Sequence, residues 1–189
     1  FGGQSERLLQ RGEPVLLRDD LAAPVLQLET ETDLITLGFL NGRQPDTDSI
    51  VTWEMAGTAH ADASFIDYGR ASSQVWLEGE FEDPAAQCGS INDGPQAPLL
   101  RAAFVALHDW VVAGTPPPTA DPIAVRSGDI VRDANGNARG GVRTPDVDAP
   151  DSALTGISPA DSVFCLLFGA SEPLTDARLA ALYTDHADY

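Results

Sequence analysis

The stretch APVLQLETETD, residues 23–33, decides the fold of this chain. Its apolar residues Val25, Leu26 and Leu28 are followed abruptly by acids, a pattern that predicts a buried parallel strand emptying into a loop. A second strand is predicted over SIVTWEMAG, residues 49–57, which is rich in β-branched and aromatic residues. The segment DLITLGFLNGR, residues 33–43, reads as a helical turn between the two strands. This order of elements indicates an α/β fold.

Chemically useful side chains follow both predicted strands. The first strand leads into ETETD and the second into AGTAHAD, which contains His60. Because the carboxyl ends of parallel strands collect catalytic groups at one edge, we expect a carboxylate and His60 to meet there. A carboxylate followed by a histidine is the acid-then-base order of an α/β-hydrolase triad. In such a triad the imidazole takes a proton from a serine, and the carboxylate fixes the imidazole tautomer.

Two residues compete for the role of the acid. Asp33 is favoured because it stands one loop turn beyond the apolar run, whereas Glu31 lies two residues earlier and has a longer reach. Taken separately, Asp33 would be read as a helix cap and His60 as a loop histidine. Their joint pattern, with small residues on both sides of His60, favours a catalytic pair.

The sequence offers no convincing nucleophile. Ser158 in GISPA and Ser171 in GASEP lack the final glycine of the G-x-S-x-G motif, and neither follows a predicted strand. Ser5 is the single serine that precedes the acid, and it has no strand-to-helix context. His108, on the polar side of a helix, and His186, near the C-terminus, are poor alternatives to His60. The chain is therefore predicted to hold the acid and the base of a triad without its serine.

The remaining elements are three helices and a hairpin. Short helices are predicted over residues 4–11 and over 171–183, the latter capped by Thr175 with Leu179 and Leu182 facing inward. Residues 128–145 are predicted to form a hairpin that turns at ANGN. The strongest helix covers residues 97–113, with Asn92 or Asp93 as a cap, Gly114 as its end, and an inward face of Leu99, Leu100, Ala103, Phe104, Leu107, Trp110 and Val111.

The composition excludes several classes of function. The formal net charge is −18, and all 11 basic residues are arginines. A surface of this charge repels phosphate backbones and anionic lipid, so neither nucleic-acid nor membrane binding is expected. No apolar run approaches the roughly 18 residues of a membrane span. The start, FGGQSERLLQ, has neither an initiator methionine nor a signal pattern, so we expect a chain that is processed or numbered within a larger protein.

Cys88 and Cys165 are the two cysteines. Neither has metal-ligand spacing, and no metal or cofactor is predicted. They are either separate buried thiols or one disulfide, and the polar surroundings of Cys88, QCGSINDGPQ, favour the disulfide. A disulfide would weakly favour a secreted or periplasmic protein.

An ordered set of motifs resembles a known family. They are PVLQLETETD, RQPDTDSIVTWEMAGTAHAD, INDGPQAPLLRAAFVALHDWVVAGTPPP, NGNARGGVRTPDVD and CLLFGASEPL followed by LAALYTDHADY. Together they are similar to the C-terminal part of the "alpha/beta hydrolase domain" proteins, a family of bacterial hydrolases, from about residue 20 onward. The resemblance implies the last parallel strands and helices of an α/β-hydrolase fold, with a small C-terminal hairpin-plus-helix appendix. It also implies His60 as base, Glu31 or Asp33 as acid, and a serine in an N-terminal half that lies outside this chain.

The sequence thus predicts residues 1–114 as the C-terminal half of a hydrolase core and residues 115–189 as an extension packed on it. The expected function is that of a serine hydrolase acting on small carboxylic esters or related acyl bonds, inactive without its partner, the N-terminal half. The alternative is a binding or assembly module that derives from a hydrolase and does not catalyse.

Overall fold

The computed structural model describes residues 14–76, 82–160 and 162–184. The predicted helix over residues 4–11 and His186 lie outside these ranges. The described residues form small two-stranded sheets and helices, in the order β1 (Val25–Thr30), α1 (Glu31–Ile35), a 3₁₀ turn (Phe39–Gly42), β2 (Ile50–Met55), α2 (Ala63–Trp76), α3 (Pro84–Cys88), α4 (Gln96–Ala113), β3 (Val125–Arg126), β4 (Asp129–Ile130), α5 (Pro145–Asp148), β5 (Ser152–Thr155), a 3₁₀ turn (Cys165–Leu167), β6 (Ala170–Pro173) and α6 (Asp176–Leu182).

The two predicted strands are confirmed, and they pair in parallel. β1 and β2 run in register from Val25 opposite Ile50 to Thr30 opposite Met55. Their last residues therefore lie side by side, and the chain leaves both strands at the same edge. The predicted helical turn after β1 begins at Glu31, two residues earlier than expected, because Thr30 caps it.

Helix α4 covers one face of this sheet. Leu26 and Leu28 of β1 and Val51 and Trp53 of β2 pack with Ala103, Leu107 and Trp110 of the helix. The helix ends at Gly114, which adopts the left-handed conformation with φ 69°, as the sequence predicted. The helix itself starts after Pro95 without a side-chain cap, whereas Asn92 Oδ1 accepts from the Gly94 N–H in the turn that precedes it.

The outer side of α4 differs from the sequence prediction. Phe104 and Val111 were expected to face inward, but these residues are 73% and 61% exposed. With Val105 and Val112 they form an outer stripe, the name used below for these four residues. The helix is apolar on nearly two faces, and hydrophobic periodicity does not distinguish the face that meets the sheet from the one that does not.

The chain beyond residue 114 contacts β2 and α1. Val142 extends the sheet next to β2, because its N–H donates to the Glu54 carbonyl and its carbonyl accepts from the Ala56 N–H. Ile123, Val147 and Leu154 share one buried cluster with Leu34 of α1 and Ala56. The division into two parts at residue 114 stays a prediction, while these contacts join residues on both sides of it.

The regular hairpin lies one turn earlier in the chain than the predicted one. The regular ladder is β3 with β4, which turns at Ser127 and Gly128 with φ values of 54° and 90°. The predicted ANGN turn also forms, but it is closed by a single bridge between Arg132 and Ala138. The side chain of Asp133 holds it by accepting from the Asn135 and Asn137 N–H groups.

Near the C-terminus the predicted helix is shorter than expected. Thr175 caps α6 as predicted, and Leu179 and Leu182 are half-buried. Residues 171–173, expected to be helical, belong to β6, which pairs antiparallel with β5. The sequence reading also missed α2, α3 and β5, since no cap or periodicity had been assigned to those segments.

The cysteines form the disulfide that the sequence favoured. Cys88 at the end of α3 is bonded to Cys165, which is 77 residues away and opens the second 3₁₀ turn. Both cysteines lie in a buried cluster with Ala61, Ile66 and Phe168. Among the helices of the described residues, none has both the length and the apolar character needed to cross a membrane.

Replacing both cysteines, Cys88→Ser with Cys165→Ser, should lower the free energy of unfolding by about 4 kcal/mol, because a closed loop of this length is released in the unfolded chain. Denaturant unfolding of the variant and of the native chain measures the difference. The native chain with its disulfide reduced is the matched control and should unfold with the variant. Equal midpoints for the oxidised native chain and the variant would contradict a stabilising disulfide.

Candidate functional site

The site forms where β1 and β2 end side by side. Beyond Thr30 the chain enters the first turn of α1, which carries Glu31, Thr32 and Asp33 in succession. Beyond Met55 it enters residues 57–60, termed the histidine loop below, which ends at His60. Hydrogen bonds join the two segments from the start, because the Glu31 N–H donates to the Thr58 carbonyl at 3.3 Å.

Asp33 and His60 are in direct contact. Nδ1 of the His60 ring lies 2.7 Å from Oδ1 of Asp33. The second oxygen of Asp33, Oδ2, accepts hydrogen bonds from the Thr30 N–H at 2.8 Å and the Thr30 hydroxyl at 2.7 Å. Asp33 is therefore the third helical residue of a capping box, in which Thr30 is the cap, and also the partner of His60. Because Thr30 fixes Oδ2, the orientation of Oδ1 toward the ring is fixed as well.

This contact sets the tautomer of the ring. An ionised carboxylate only accepts hydrogen bonds, so the neutral imidazole carries its proton on Nδ1 and presents a lone pair on Nε2. The side chain of Asp33 is 15% exposed, whereas that of His60 is 49% exposed. The ring is thus held from inside and open outside, which is the arrangement that a general base requires.

The pair shifts the pKa of both groups. The hydrogen bond to Asp33 raises the pKa of His60 above 6.5, against an opposing effect of burial, and the charges of Asp33 and Glu29 add to the increase. Burial raises the pKa of Asp33, but hydrogen bonds from His60 and Thr30 outweigh it and leave the pKa below 3.8. Nearby, burial raises the pKa of Glu29 to about 7 despite a hydrogen bond from Gln27. Glu29 and His60 therefore act on each other at this edge: the charge of Glu29 raises the pKa of His60, and the charge of His60 lowers that of Glu29.

Glu31, the competing candidate, has a different environment. Its side chain is fully buried, and Oε1 accepts from the Gly57 N–H at 2.8 Å. Oε2 accepts from the Gly156 N–H at 3.1 Å and from Nη2 of Arg132 at 2.9 Å. Three donors satisfy this carboxylate, as buried charges require. It fixes the start of the histidine loop, and its hydrogen bonds in the described residues go to these donors and not to the His60 ring.

The small residues of the histidine loop are explained by packing. Gly57, Thr58 and Ala59 are buried beneath the half-exposed ring. Gly57 has φ +73°, and a Cβ there would lie 2.9 Å from Cγ2 of Val147. The sequence reading attributed these residues to access to the ring, whereas their nearest neighbours lie on the buried side.

Asn92 links the histidine loop to the C-terminal segments. Its side-chain amide donates to the carbonyls of Gly57 at 3.1 Å and Thr155 at 3.0 Å. Its backbone carbonyl accepts from the Ala63 N–H at 2.8 Å, just after the loop. The Ala61 N–H donates to the Leu167 carbonyl at 3.0 Å, within the 3₁₀ turn that the disulfide holds. The residues that follow His60 are therefore anchored through Asn92 and the disulfide.

Within residues 14–76, 82–160 and 162–184, neither a serine hydroxyl nor a thiol is hydrogen-bonded to the His60 ring. Oγ of Ser158 accepts from the Ala160 N–H at 3.2 Å, and Oγ of Ser171 donates to Asp93. Both cysteines are in the disulfide. Ser5 lies outside the described residues. The predicted acid and base are brought together, and this part of the chain does not place a nucleophile beside them.

Two cavities lie elsewhere on the molecule. One, of about 400 Å³, is bordered by the ion pair of Arg43 with Glu54, and the other, of about 570 Å³, by Asp83 and Phe164. Neither is lined by Asp33 or His60. In the described parts of the chain, no group of three or more histidine, cysteine or acidic residues is arranged to hold a metal ion.

The sequence reading missed Arg132, Thr32 and Gly156 as members of this site. Arg132 is 101 residues from Glu31, so no local pattern connects them. Thr32 belongs to the quoted ETD segment, but only the two charged residues beside it were predicted as site residues. One signal for these partners was available in the sequence. The end of the first strand was predicted to be buried, and a glutamate that is fully buried there requires a cationic or N–H partner.

Comparisons with known proteins give one match. A family model described as "Alpha/beta hydrolase domain" matches residues 2–189, which is almost the entire chain. Neither the curated proteins nor the solved structures include a match to this chain.

Replacing Asp33 by Asn should lower the pKa of His60 toward that of free histidine, because the carboxylate that stabilises the imidazolium is removed. In the native chain the pKa of His60 is higher in the folded than in the unfolded state, so protonated His60 beside Asp33 stabilises the fold. This contribution is present below pH 6.5 and is lost as the pH rises through the raised pKa. An NMR titration of the histidine ring protons measures the shift.

Glu31→Gln is the matched control, since it removes a neighbouring carboxylate that is not bonded to the ring. It should destabilise the fold by about 3 kcal/mol by leaving Arg132 without its charge partner, and leave the His60 titration nearly unchanged. Because the pKa of Glu29 is raised to about 7, its titration could add a second inflection to the His60 titration curve, and Glu29→Gln would remove that inflection. A His60 pKa that responds to Glu31→Gln and not to Asp33→Asn would show that Asp33 is not its partner.

Proposed function

The chain belongs to the alpha/beta hydrolase domain family, and from that premise we propose that it is the C-terminal half of a serine hydrolase acting on carboxylic esters or related acyl bonds. The contact of 2.7 Å between Asp33 and the His60 ring carries this proposal. A largely buried acid, a half-exposed imidazole and a fixed Nδ1–H tautomer match the acid and base of a Ser-His-Asp triad. The order along the chain, acid before histidine, is that of the α/β hydrolases.

The proposed chemistry uses each ring nitrogen of His60 separately. Nε2 takes the proton of the serine hydroxyl as the serine oxygen bonds to the ester carbonyl carbon. The same proton then passes to the alcohol oxygen as the carbon–oxygen bond of the ester breaks, which leaves an acyl-serine. In the second half, Nε2 takes a proton from water, the hydroxide oxygen bonds to the acyl carbon, and the serine regains its proton as the acid leaves. Asp33 stabilises the imidazolium in both halves through Nδ1.

We propose that the serine and the donors for the oxyanion belong to an N-terminal half. The pair of Asp33 and His60, termed the dyad below, has a half-exposed ring and no hydroxyl partner from a serine in the described residues. A group from elsewhere would therefore complete it. In the described residues β1 is paired on one side, with β2, which leaves its other edge available for a further strand.

The outer stripe of α4 supports the same partner. Phe104, Val105, Val111 and Val112 are each more than 60% exposed, although they belong to the helix that packs on β1 and β2. A contiguous apolar stripe of this kind marks a protein contact surface. An N-terminal half that adds strands beside β1 would bring helices into the same layer as α4, where this stripe would be covered.

The first test is reaction with a fluorophosphonate probe, using the assembly that contains both halves. We expect one labelled serine outside this chain. Asp33→Asn should slow hydrolysis on the order of 10⁴-fold because the wrong tautomer faces the serine, and His60→Ala should slow it at least as much. The rate should rise with pH through a pKa above 6.5, since only neutral His60 is a base. Asp129→Asn, on the exposed hairpin, is a carboxylate control and should leave the rate unchanged.

Labelling that survives His60→Ala unchanged would contradict the proposed role of the dyad. The complete absence of a reactive serine from the assembly would favour instead a binding module that has kept the dyad without catalysis.

The second test concerns the partner. Phe104→Asp should weaken co-purification of this chain with the N-terminal half by more than about tenfold, because a charge would be buried against apolar surface. The melting temperature of the chain by itself should change little, since this side chain is mostly exposed. Ala102→Asp adds the same charge to the other exposed flank of α4 and should not affect the association. Equal association for both variants would contradict the proposed surface.

A further inference from the structure

Thr32 lies between the two acids and has its own contact with His60. Its side chain is fully buried. The hydroxyl donates to the Gly156 carbonyl at 2.6 Å and accepts from the His60 N–H at 3.1 Å. Because the hydroxyl proton is donated to the Gly156 carbonyl, the oxygen lone pairs can accept from the His60 N–H.

We infer that Thr32 is a positioning residue for His60: it holds the backbone of the histidine while Asp33 holds the ring. This inference rests on the proposed role of His60 as the base. Two neighbouring side chains on one helical turn thus fix two points of the same residue. The direction of Nε2 follows, because a ring held at Nδ1 and a backbone held at its N–H leave little freedom about the intervening bonds.

Gly156 supports this arrangement from the other side. A Cβ on Gly156 would lie 2.5 Å from the Thr58 carbonyl oxygen and 2.6 Å from the Thr32 nitrogen. A side chain would therefore push the end of β5 away from α1. Without that close approach, the Gly156 carbonyl would not orient the Thr32 hydroxyl, and its N–H would not reach Glu31. Gly156, the first residue after β5, thus helps to position His60 although the two are 96 residues apart (156 minus 60).

A structural hydroxyl and a positioning hydroxyl have different consequences. A buried threonine that only satisfies a carbonyl affects the stability of the fold. A threonine that holds the His60 amide also affects how the ring meets Asp33, and therefore the pKa of His60. Thr58 provides the comparison in the same loop, because it is also fully buried and its hydroxyl donates to the Met55 carbonyl at 2.8 Å.

The experiment compares Thr32→Val, Thr32→Ser and Thr58→Val in the complete chain by NMR. In Thr32→Val the pKa of His60 should fall toward that of free histidine, and its amide should exchange at least about tenfold faster, the loss of one hydrogen bond of roughly 1.4 kcal/mol. Thr32→Ser keeps the hydroxyl and should restore both values. Thr58→Val should lower the melting temperature without moving the His60 pKa.

The native chain supplies a test that does not depend on a variant folding. The His60 amide should be protected from exchange although the residue is exposed, and an unprotected amide would overturn the inference. An unchanged pKa in folded Thr32→Val, or an equal shift in Thr58→Val, would also overturn it. Because these measurements read the imidazole and not turnover, a shift in pKa combined with an assembly that hydrolyses nothing would refute the proposed function and leave the positioning role intact.

Discussion

The first turn of α1 is the constraint on which the site depends. Its three successive residues bind the histidine loop at three different atoms: Glu31 at the Gly57 N–H, Thr32 at the His60 N–H, and Asp33 at the His60 ring. Parallel pairing of β1 with β2 brings the two segments to one edge, but pairing by itself would leave the loop free to rotate. The turn converts proximity into a defined geometry, since each contact restricts a different degree of freedom of the loop.

Residues distant in sequence support this turn. Arg132 neutralises the buried Glu31, Gly156 approaches closely enough to bond both Glu31 and Thr32, and Asn92 holds the carbonyls of Gly57 and Thr155. The disulfide anchors the 3₁₀ turn that receives the Ala61 N–H. The buried side chains of Glu31, Thr32 and Asn92 are thus hydrogen-bonded, whereas the ring of His60 and the outer stripe of α4 are open. This contrast agrees with the proposal that a group from an N-terminal half completes the site.

The sequence predicted the local features and missed those that depend on distant contacts. β1 and β2 were predictable because β-branched and apolar runs end abruptly in acids and small residues, and the meeting of Asp33 with His60 followed from the geometry of parallel strands. Arg132 was not predictable, because only the fold places it beside Glu31. The burial of Phe104 and Val111 was predicted wrongly, since a helical apolar stripe has the same period whether it faces the core or another protein chain.

The central claim is that Asp33 fixes the protonation of the His60 ring. The most direct test is the ¹⁵N NMR spectrum of the ring nitrogens at a pH above the His60 pKa, where the imidazole is neutral. The account predicts the tautomer with the proton on Nδ1 and a lone pair on Nε2, and the loss of this preference in Asp33→Asn. A neutral His60 with its proton on Nε2, as in free histidine, would contradict it, because the ring would then have no lone pair to offer a serine.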